Sequence, residues 1–206
     1  MMSNFTYEFE NCQERLETYE WDNVWWEHAG TVGVPRVLYI GDSISCAART
    51  VATSVANETL LVDGFGTSKA LDNPHFADAI RLFAKQQGER QAILFNNGLH
   101  GWHLDDECEY AKYYEQMIEF LLEEFNGTPL LLLLTTHVAD TERDERVQAR
   151  NRAVNTLAQK YDLPVIDLYT LTKEHEDLLS PDGVHWVSDG YRLIAEEIVG
   201  HVRKFI

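Results

Sequence analysis

The segment RVLYIGDSISCAARTVATSVANE, residues 36–58, combines two kinds of local structure in one short stretch. Its apolar start, residues 36–40, has the length of a buried strand, and the small residues near its end are typical of a helix. Gly41, Asp42 and Ser43 stand at the junction. A serine there either caps the helix or acts as a nucleophile, because free N–H groups at a helix start stabilise negative charge. The junction alone leaves both interpretations open.

The alternation of strand and helix continues along the chain. Further strands are predicted at TLLVDGF (59–65), QAILFNN (91–97), PLLLLLTT (129–136) and LPVIDL (163–168), and further helices at 73–87, 106–125, 142–161 and 188–205. The strands are uniformly apolar, which is typical of a parallel sheet covered on both faces. We therefore predict a three-layer α/β/α sandwich with a mostly parallel, five-stranded sheet. We expect residues 1–206 to form one domain, with residues 1–35 as an aromatic-rich strap before the first strand.

The composition limits the partners that we expect. A net charge of −17 argues against nucleic acid, whose binding needs a basic surface, and against anionic lipid. The longest apolar run, residues 130–134, is too short to cross a bilayer, and the first residues do not resemble a secretory leader. Cys12, Cys46 and Cys108 follow no metal-ligand spacing and are expected to be reduced thiols. These features predict a soluble, cytoplasmic protein and no particular oligomeric state.

A second group of candidate residues lies near the end of the chain, in LLSPDGVHWVSDGY (178–191). Ligands of such sheets bind beyond the carboxyl ends of the strands, and this segment leads into the last predicted helix. Asp182 and His185 are spaced so that the carboxylate can hold the imidazole Nδ1 and leave Nε2 for a hydroxyl. The alternative is a plain turn at Asp182 and Gly183.

Candidate hydrogen-bond donors follow the second and third predicted strands. A bare backbone N–H at Gly66 could approach a ligand closely. The side-chain amides of Asn96 and Asn97 could donate to an oxyanion. Asparagines beside a glycine are equally common in turns, so the donors carry weight only together with the other candidates.

The GDSIS motif at 41–45 and the DGVH motif at 182–185 resemble the sequence blocks of the GDSL, or SGNH, hydrolases. The resemblance covers residues 36–206 and implies the three-layer, flavodoxin-like fold of that family. It also implies an esterase with no cofactor and no metal, in which Ser43 is the nucleophile, Asp182 the orienting acid and His185 the base. The family's oxyanion hole consists of the serine N–H, a glycine after the second strand and an asparagine after the third.

Two blocks depart from the usual family pattern. The third block is commonly Gly-x-Asn-Asp and here reads NNGLH. We favour Asn96 over Asn97 as its donor because Asn96 stands at the strand end. The second block, DGFGTS, contains two glycines, and we favour Gly66 over Gly64 because Thr-Ser follows it.

Other polar residues are expected to border the substrate rather than to take part in the reaction. They are Asp42, His100, Trp102 and His137, of which His137 is alternatively a structural histidine. The segment HGWHLDDE (100–107) could suggest zinc, but His-x-x-His lacks a third ligand at a typical spacing, so we expect no metal. The aromatic segment YEWDNVWWEHAG (19–30) could stack on sugars or cover an acyl group. We favour a strap whose rings are buried against the sheet edge.

The predicted activity is hydrolysis of a small-molecule ester with a short acyl group. No long apolar segment suggests a deep acyl tunnel, and an acetyl ester on a carbohydrate suits the aromatic-rich rim. A thioesterase or a lysophospholipase-like acyl hydrolase is the nearest alternative. An acyltransferase, or a non-catalytic carbohydrate-binding protein with the same fold, are alternatives of other classes.

Overall fold

The described part of the chain is residues 8–10 and 15–206 of a computed structural model. In chain order its elements are β1 (Glu8–Glu10), β2 (Arg15–Glu17), β3 (Asp22–Trp25), β4 (Arg36–Gly41), α1 (Ser43–Val55), β5 (Leu61–Thr67), α2 (Phe76–Gln87), β6 (Ala92–Phe95), α3 (Glu107–Glu124), β7 (Leu130–Leu133), α4 (Thr141–Tyr161), β8 (Val165–Ile166), α5 (Leu168–Lys173) and α6 (Ser188–Val202). The five predicted strands correspond to β4–β8, and the predicted helices to α1–α4 and α6.

The central sheet has six strands in the order β3-β5-β4-β6-β7-β8. The five predicted strands are parallel to one another, and β4 lies between β5 on one side and β6 on the other. The sequence analysis expected five strands and missed β3, which pairs antiparallel with β5 at the edge. The mostly parallel α/β architecture is confirmed, and the strand count is corrected to six.

Helices cover both faces of this sheet. Along β4, Val37 and Tyr39 pack into a core shared with α1, α5 and α6, whereas Leu38 and Ile40 pack into a second core shared with α2, α3 and α4. Successive strand residues point to opposite faces, so an uninterrupted apolar strand supplies both cores. The three predicted layers are therefore present.

The segment before β4 differs from the predicted strap. It supplies the edge strand β3 and part of a separate antiparallel pair, β1 with β2. Trp26 stacks on Phe83 of α2 with ring centroids 5.1 Å apart, as a buried strap would. Trp25 and Tyr19 instead remain 47% and 82% exposed, so the expectation of buried rings is wrong for these two residues. Side chains alternate across an edge strand, which leaves Trp25 on a face that no helix covers.

In the described ranges, no helix is long and apolar enough to cross a membrane. Cys46 and Cys108 carry free thiols. Cys12, which we also expect to be reduced, lies outside the described residues.

Candidate active site

Ser43 is the first residue of α1 and directly follows the central strand β4. Asp42 caps the helix, since its Oδ1 accepts a hydrogen bond of 2.9 Å from the Ile44 N–H. Ser43 itself is therefore not needed as the cap. The first N–H groups of a helix lack intrahelical acceptors, which makes this position suited to a developing negative charge.

A continuous chain of hydrogen bonds joins Ser43, His185 and Asp182. Ser43 Oγ lies 2.8 Å from His185 Nε2, and His185 Nδ1 lies 2.8 Å from Asp182 Oδ2. A carboxylate can only accept, so the hydrogen of the second bond resides on Nδ1 and Nε2 of the neutral ring is an acceptor for the serine O–H. The structure thus brings together the three residues of the two sequence motifs.

The loop that carries Asp182 and His185 is fixed by its own backbone. Asp182 Oδ1 accepts hydrogen bonds of 2.9 Å from the N–H groups of both Val184 and His185. Gly183 adopts a φ of 76°, a left-handed conformation that favours glycine. Its carbonyl accepts a bond of 2.8 Å from the Ala139 N–H, which ties the loop to the segment after β7. The turn expected as an alternative at Asp182-Gly183 is thus the device that aims the carboxylate at the imidazole.

The same contacts set the charge state of Asp182. Burial alone would raise the pKa of Asp182. This effect is outweighed by the hydrogen bonds from the N–H groups of Val184 and His185 and by the interaction with the His185 ring, which lower the pKa of Asp182 to about 2. Hydrogen bonds to a carboxylate stabilise its ionised form. Asp182 is therefore ionised at neutral pH and accepts the Nδ1–H of His185 throughout the physiological range.

Asp42 lies in a different environment. Burial raises its pKa, and His100, the hydrogen bond from Ile44 and His185 act in the opposite direction. Its second oxygen, Oδ2, is buried without a hydrogen-bond partner. Oδ1 of Asp42 caps α1, and the expected position of Asp42 beside the substrate stays a prediction.

Gly64 and Gly66, the two glycine candidates for the oxyanion hole, allow α1 to pack closely on β5. A Cβ atom would lie 2.4 Å from Arg49 Cδ at Gly64 and 2.2 Å from Cys46 Sγ at Gly66. Gly66 is also paired on both sides, with Asn23 and Gly41, so its backbone groups lie in the plane of the sheet. The pairing places Gly66 opposite Gly41, two residues before Ser43, and its oxyanion role stays a prediction.

Both asparagine side chains donate hydrogen bonds to neighbouring segments of the protein. Asn96 Nδ2 donates to the Leu133 carbonyl at 2.8 Å and to Thr135 Oγ1 at 3.0 Å, which uses both amide hydrogens. In this geometry the two bonds leave no amide hydrogen of Asn96 for an oxyanion, which argues against the role that the sequence analysis expects of it. Asn97 Nδ2 donates to the Lys69 carbonyl at 2.9 Å, which ties it to the segment after β5.

His100 is placed between the N-terminal segment and the start of α1. Its Nδ1 lies 2.8 Å from Glu17 Oε1, and Trp21 packs edge-on against its ring at 5.8 Å. Its Nε2 is buried and has no hydrogen-bond partner. Burial lowers the pKa of His100, but the hydrogen bond and charge of Glu17, together with Asp42 and Glu20, outweigh it and raise the pKa above its ordinary value.

Trp102 and His137, the other two residues expected to border the substrate, contact charged side chains of the protein. The Trp102 ring is covered by Arg150 and Arg146, whose guanidinium carbons are 4.5 and 4.9 Å from its centroid. His137 is only 5% exposed, and its Nδ1 lies 2.6 Å from Asp144 Oδ1. This geometry is that of the structural histidine considered as the alternative. Within residues 15–206, no three His, Cys, Asp or Glu side chains are grouped so as to hold a metal ion.

Sequence reasoning missed two residues that shape this region. Glu17 lies in the N-terminal segment, where no motif marks it. Arg150 is 3% exposed and donates to the carbonyls of Gly98, His100, Gly101 and Leu104. Its position between Val147 and Val154, on the apolar stripe of α4, is a signal that could have identified it.

Comparison of the sequence with protein-family models finds no match. Comparison with curated proteins likewise finds none.

Solved structures resemble the chain in fold. A lipase/acylhydrolase from Enterococcus faecalis has a TM-score of 0.67 at 17% identity, over 83% of this chain and 96% of that one. An acetyl xylan esterase has a TM-score of 0.65 at 18% identity, over 81% and 99%. The catalytic domain of the peptidoglycan O-acetyltransferase A of Streptococcus pneumoniae has a TM-score of 0.65 at 16% identity, over 83% and 94%. The chain therefore has the fold of the GDSL, or SGNH, hydrolases, as the sequence resemblance implies.

Proposed function

We propose that this protein is a serine ester hydrolase that works through a covalent acyl-enzyme. The observation that carries the proposal is the hydrogen-bonded chain from Ser43 Oγ through His185 to Asp182, with both links at 2.8 Å. A hydroxyl, an imidazole and an ionised carboxylate in this order form the arrangement that activates a serine for attack on a carbonyl. A protein that only bound carbohydrate would need none of the three.

In the first half of the reaction, Ser43 Oγ attacks the ester carbonyl carbon while its proton passes to His185 Nε2. The tetrahedral intermediate then expels the alcohol oxygen, which takes that proton from His185. In the second half, water attacks the acyl carbonyl and gives a proton to His185, and Ser43 recovers this proton as the acid leaves. Asp182 accepts the Nδ1–H throughout and stabilises the imidazolium that forms in each half. No metal or cofactor enters these steps.

The negative oxygen of the intermediate needs donors that point at it. The Ser43 N–H, in the first turn of α1, is the backbone donor that we assign to it. Asn96, which was expected to complete the site, donates to the Leu133 carbonyl, and Gly66 remains a candidate for a second backbone donor.

The substrate that we propose is a small-molecule ester with a short acyl group, with an acetylated sugar as the first natural class to test. Two of the proteins with this fold are named as an acetyl xylan esterase and a peptidoglycan O-acetyltransferase. The strong negative charge of the chain disfavours phosphate-bearing thioesters such as coenzyme A derivatives. A thioesterase or lysophospholipase-like activity is accordingly the second choice.

The test is release of 4-nitrophenol from its acetate, butyrate and octanoate esters by the wild type and by Ser43→Ala at equal concentration. We expect turnover by the wild type, highest on acetate, and no enzymatic rate from the variant. Equal rates would remove Ser43 as the nucleophile. Turnover that requires an added sugar acceptor, with no acid released in its absence, would identify a transferase instead. Octanoate as the preferred ester would favour the long-chain alternatives.

A further inference from the structure

His100 Nε2 is a buried polar atom without a hydrogen-bond partner, on a residue of the loop that follows β6. Most buried polar atoms in folded proteins are hydrogen-bonded, so one that is not calls for an explanation. The other nitrogen of the ring is fully accounted for by Glu17 at 2.8 Å. The ring is therefore held in one orientation, with Nε2 directed away from Glu17.

His100 lies in the loop after β6, at the end of the sheet where Ser43 follows β4. His100 follows β6, and β6 is the immediate parallel neighbour of β4, so both residues lie at the same edge of the sheet. The charges of His100 and Asp42 stabilise each other, and Asp42 directly precedes Ser43. Asp42 Oδ2 is also buried without a hydrogen-bond partner, so it does not accept a hydrogen bond from His100 Nε2.

The proton on Nε2 follows from the bond on Nδ1. Glu17 accepts, so the hydrogen of that bond belongs to Nδ1, and the neutral ring would leave Nε2 bare. Burial opposes the charged ring, but Glu17, Asp42 and Glu20 together raise the pKa of His100. The ring that these carboxylates favour is the imidazolium, in which Nε2 carries a hydrogen to donate. A donor on a cation forms a stronger bond to an oxyanion than a neutral amide does.

We propose that His100 is a further catalytic residue, whose Nε2–H donates to the oxyanion of the tetrahedral intermediate formed on Ser43. His100 thus supplies the side-chain donor to the oxyanion, a role for which the sequence analysis favoured Asn96. Glu17 is a positioning residue that holds the ring and its charge. This inference rests on the proposed ester hydrolysis, because an oxyanion forms only if Ser43 attacks a carbonyl.

The test compares His100→Leu and His100→Gln with a matched control, His103→Leu, on 4-nitrophenyl acetate. His103 lies in the same loop, and its Nε2 contacts the Asp72 carboxylate at 2.9 and 3.0 Å. Removing an oxyanion donor typically costs about 10²–10³-fold in kcat. We expect that loss in His100→Leu with KM nearly unchanged, a smaller loss in His100→Gln, whose amide can still donate, and wild-type kcat in His103→Leu.

A trifluoromethyl ketone that mimics the acetyl ester separates a donor from a structural histidine. It forms a tetrahedral oxyanion on the serine, so its affinity should fall in His100→Leu by the same factor as kcat/KM. Normal kcat in a folded His100→Leu, or lost kcat with unchanged affinity for the ketone, would overturn the proposal.

Glu17→Gln provides a test that keeps the histidine, for the case that His100→Leu does not fold. With Asp42 and Glu20 still facing the ring, loss of the Glu17 charge lowers the pKa of His100. The alkaline decline of kcat should therefore move to lower pH, and an unmoved decline would contradict the role. If the wild type hydrolyses no ester, or Ser43→Ala matches it, the proposed function fails instead. The two failures are thus distinguishable.

Discussion

Ser43 Oγ and His185 Nε2 lie 2.8 Å apart although 142 residues separate them in the chain. The contact depends on two helices that pack on the same face of the sheet. Ile44 and Ala48 of α1 share one core with Ile194 and Ile198 of α6, the helix that follows the His185 loop. The pairing of hydroxyl and imidazole is therefore built into the tertiary packing and requires no movement on substrate binding.

Ser43→Ala and His185→Ala should each abolish the proposed activity, and combining them should add little. Both remove the same step, transfer of the serine proton during attack, so their effects are not additive. Each variant is expected to lower kcat by about 10⁶-fold. Steady-state rates on 4-nitrophenyl acetate measure this, with His201→Ala as a histidine control on the far end of α6. A double variant whose loss is the product of the two single losses would contradict the model of a single unit.

Asp182→Asn should retain more activity than either of those variants. The amide cannot stabilise the imidazolium and can force the wrong tautomer on His185, which in comparable triads costs up to about 10⁴-fold in kcat. The attacking hydroxyl and the base both remain. Asp189→Asn, in the first turn of α6, is the matched control and should be close to the wild type. A fully active Asp182→Asn would show that Asp182 only shapes the loop.

The low pKa of Asp182 predicts how stability depends on pH. The folded protein holds the pKa of Asp182 at about 2, whereas an aspartate in the unfolded chain has its ordinary pKa of 3.8. A depressed carboxylate pKa stabilises the folded state above the unfolded value, and this contribution disappears as the pH falls through the folded value. The free energy of unfolding of the wild type should thus exceed that of Asp182→Asn by a constant amount from about pH 5 to 7.

Urea unfolding at a series of pH values checks this prediction. The difference between the two proteins should narrow as the pH is lowered below about 4. Because the Asp182 side chain is 41% exposed, we expect a modest effect. A difference that does not change down to about pH 3 would mean that the N–H groups of Val184 and His185 do not hold the carboxylate as described.

The close packing of α1 on β5 predicts that Gly66→Ala destabilises the fold. The added methyl would lie 2.2 Å from Cys46 Sγ and 3.3 Å from the Asp42 carbonyl oxygen, so the Cys46 side chain must rotate or the start of the helix must move. Overpacking of this kind costs about 1–3 kcal/mol. Gly200→Ala is the matched control, because nothing lies within 4 Å of its Cβ position in α6 and alanine favours a helix. Thermal melting should show a lower Tm for the first variant and an equal or higher Tm for the second.

The parallel strands and the residues of the two motifs could be predicted because their signals are local. Each buried strand is an uninterrupted apolar run, and Asp182 and His185 lie within one turn. Strand β3 could not be predicted in this way, since Asp22–Trp25 is exposed at every position and has no apolar run. Its pairing depends on the edge that β5 offers, which is a property of the assembled sheet.

The contacts of the candidate donors could not be predicted for a related reason. The partners that occupy Asn96, the Leu133 carbonyl and Thr135, come from the next strand and the loop after it, 37 and 39 residues away. Glu17 and His100 are 83 residues apart. The sequence shows that a side-chain amide at a strand end can donate a hydrogen bond. Which acceptor it meets depends on the tertiary structure.

A single side chain, that of Arg150, holds the whole loop from Gly98 to Leu104. Its two terminal nitrogens donate to four carbonyls of that loop, among them that of His100 at 2.7 Å. Arg150→Met keeps the length of the side chain and leaves these buried oxygens without their donor, at a cost of about 1–3 kcal/mol.

The loop should then hold His100 less firmly, so kcat should fall in Arg150→Met while KM changes little. Arg152→Met is the control, since that exposed side chain pairs with Glu107 only at 3.4 Å and its loss should cost less than about 1 kcal/mol. Urea unfolding and 4-nitrophenyl acetate kinetics measure both effects. An Arg150→Met protein as stable and as active as Arg152→Met would show that the loop holds its shape without the guanidinium.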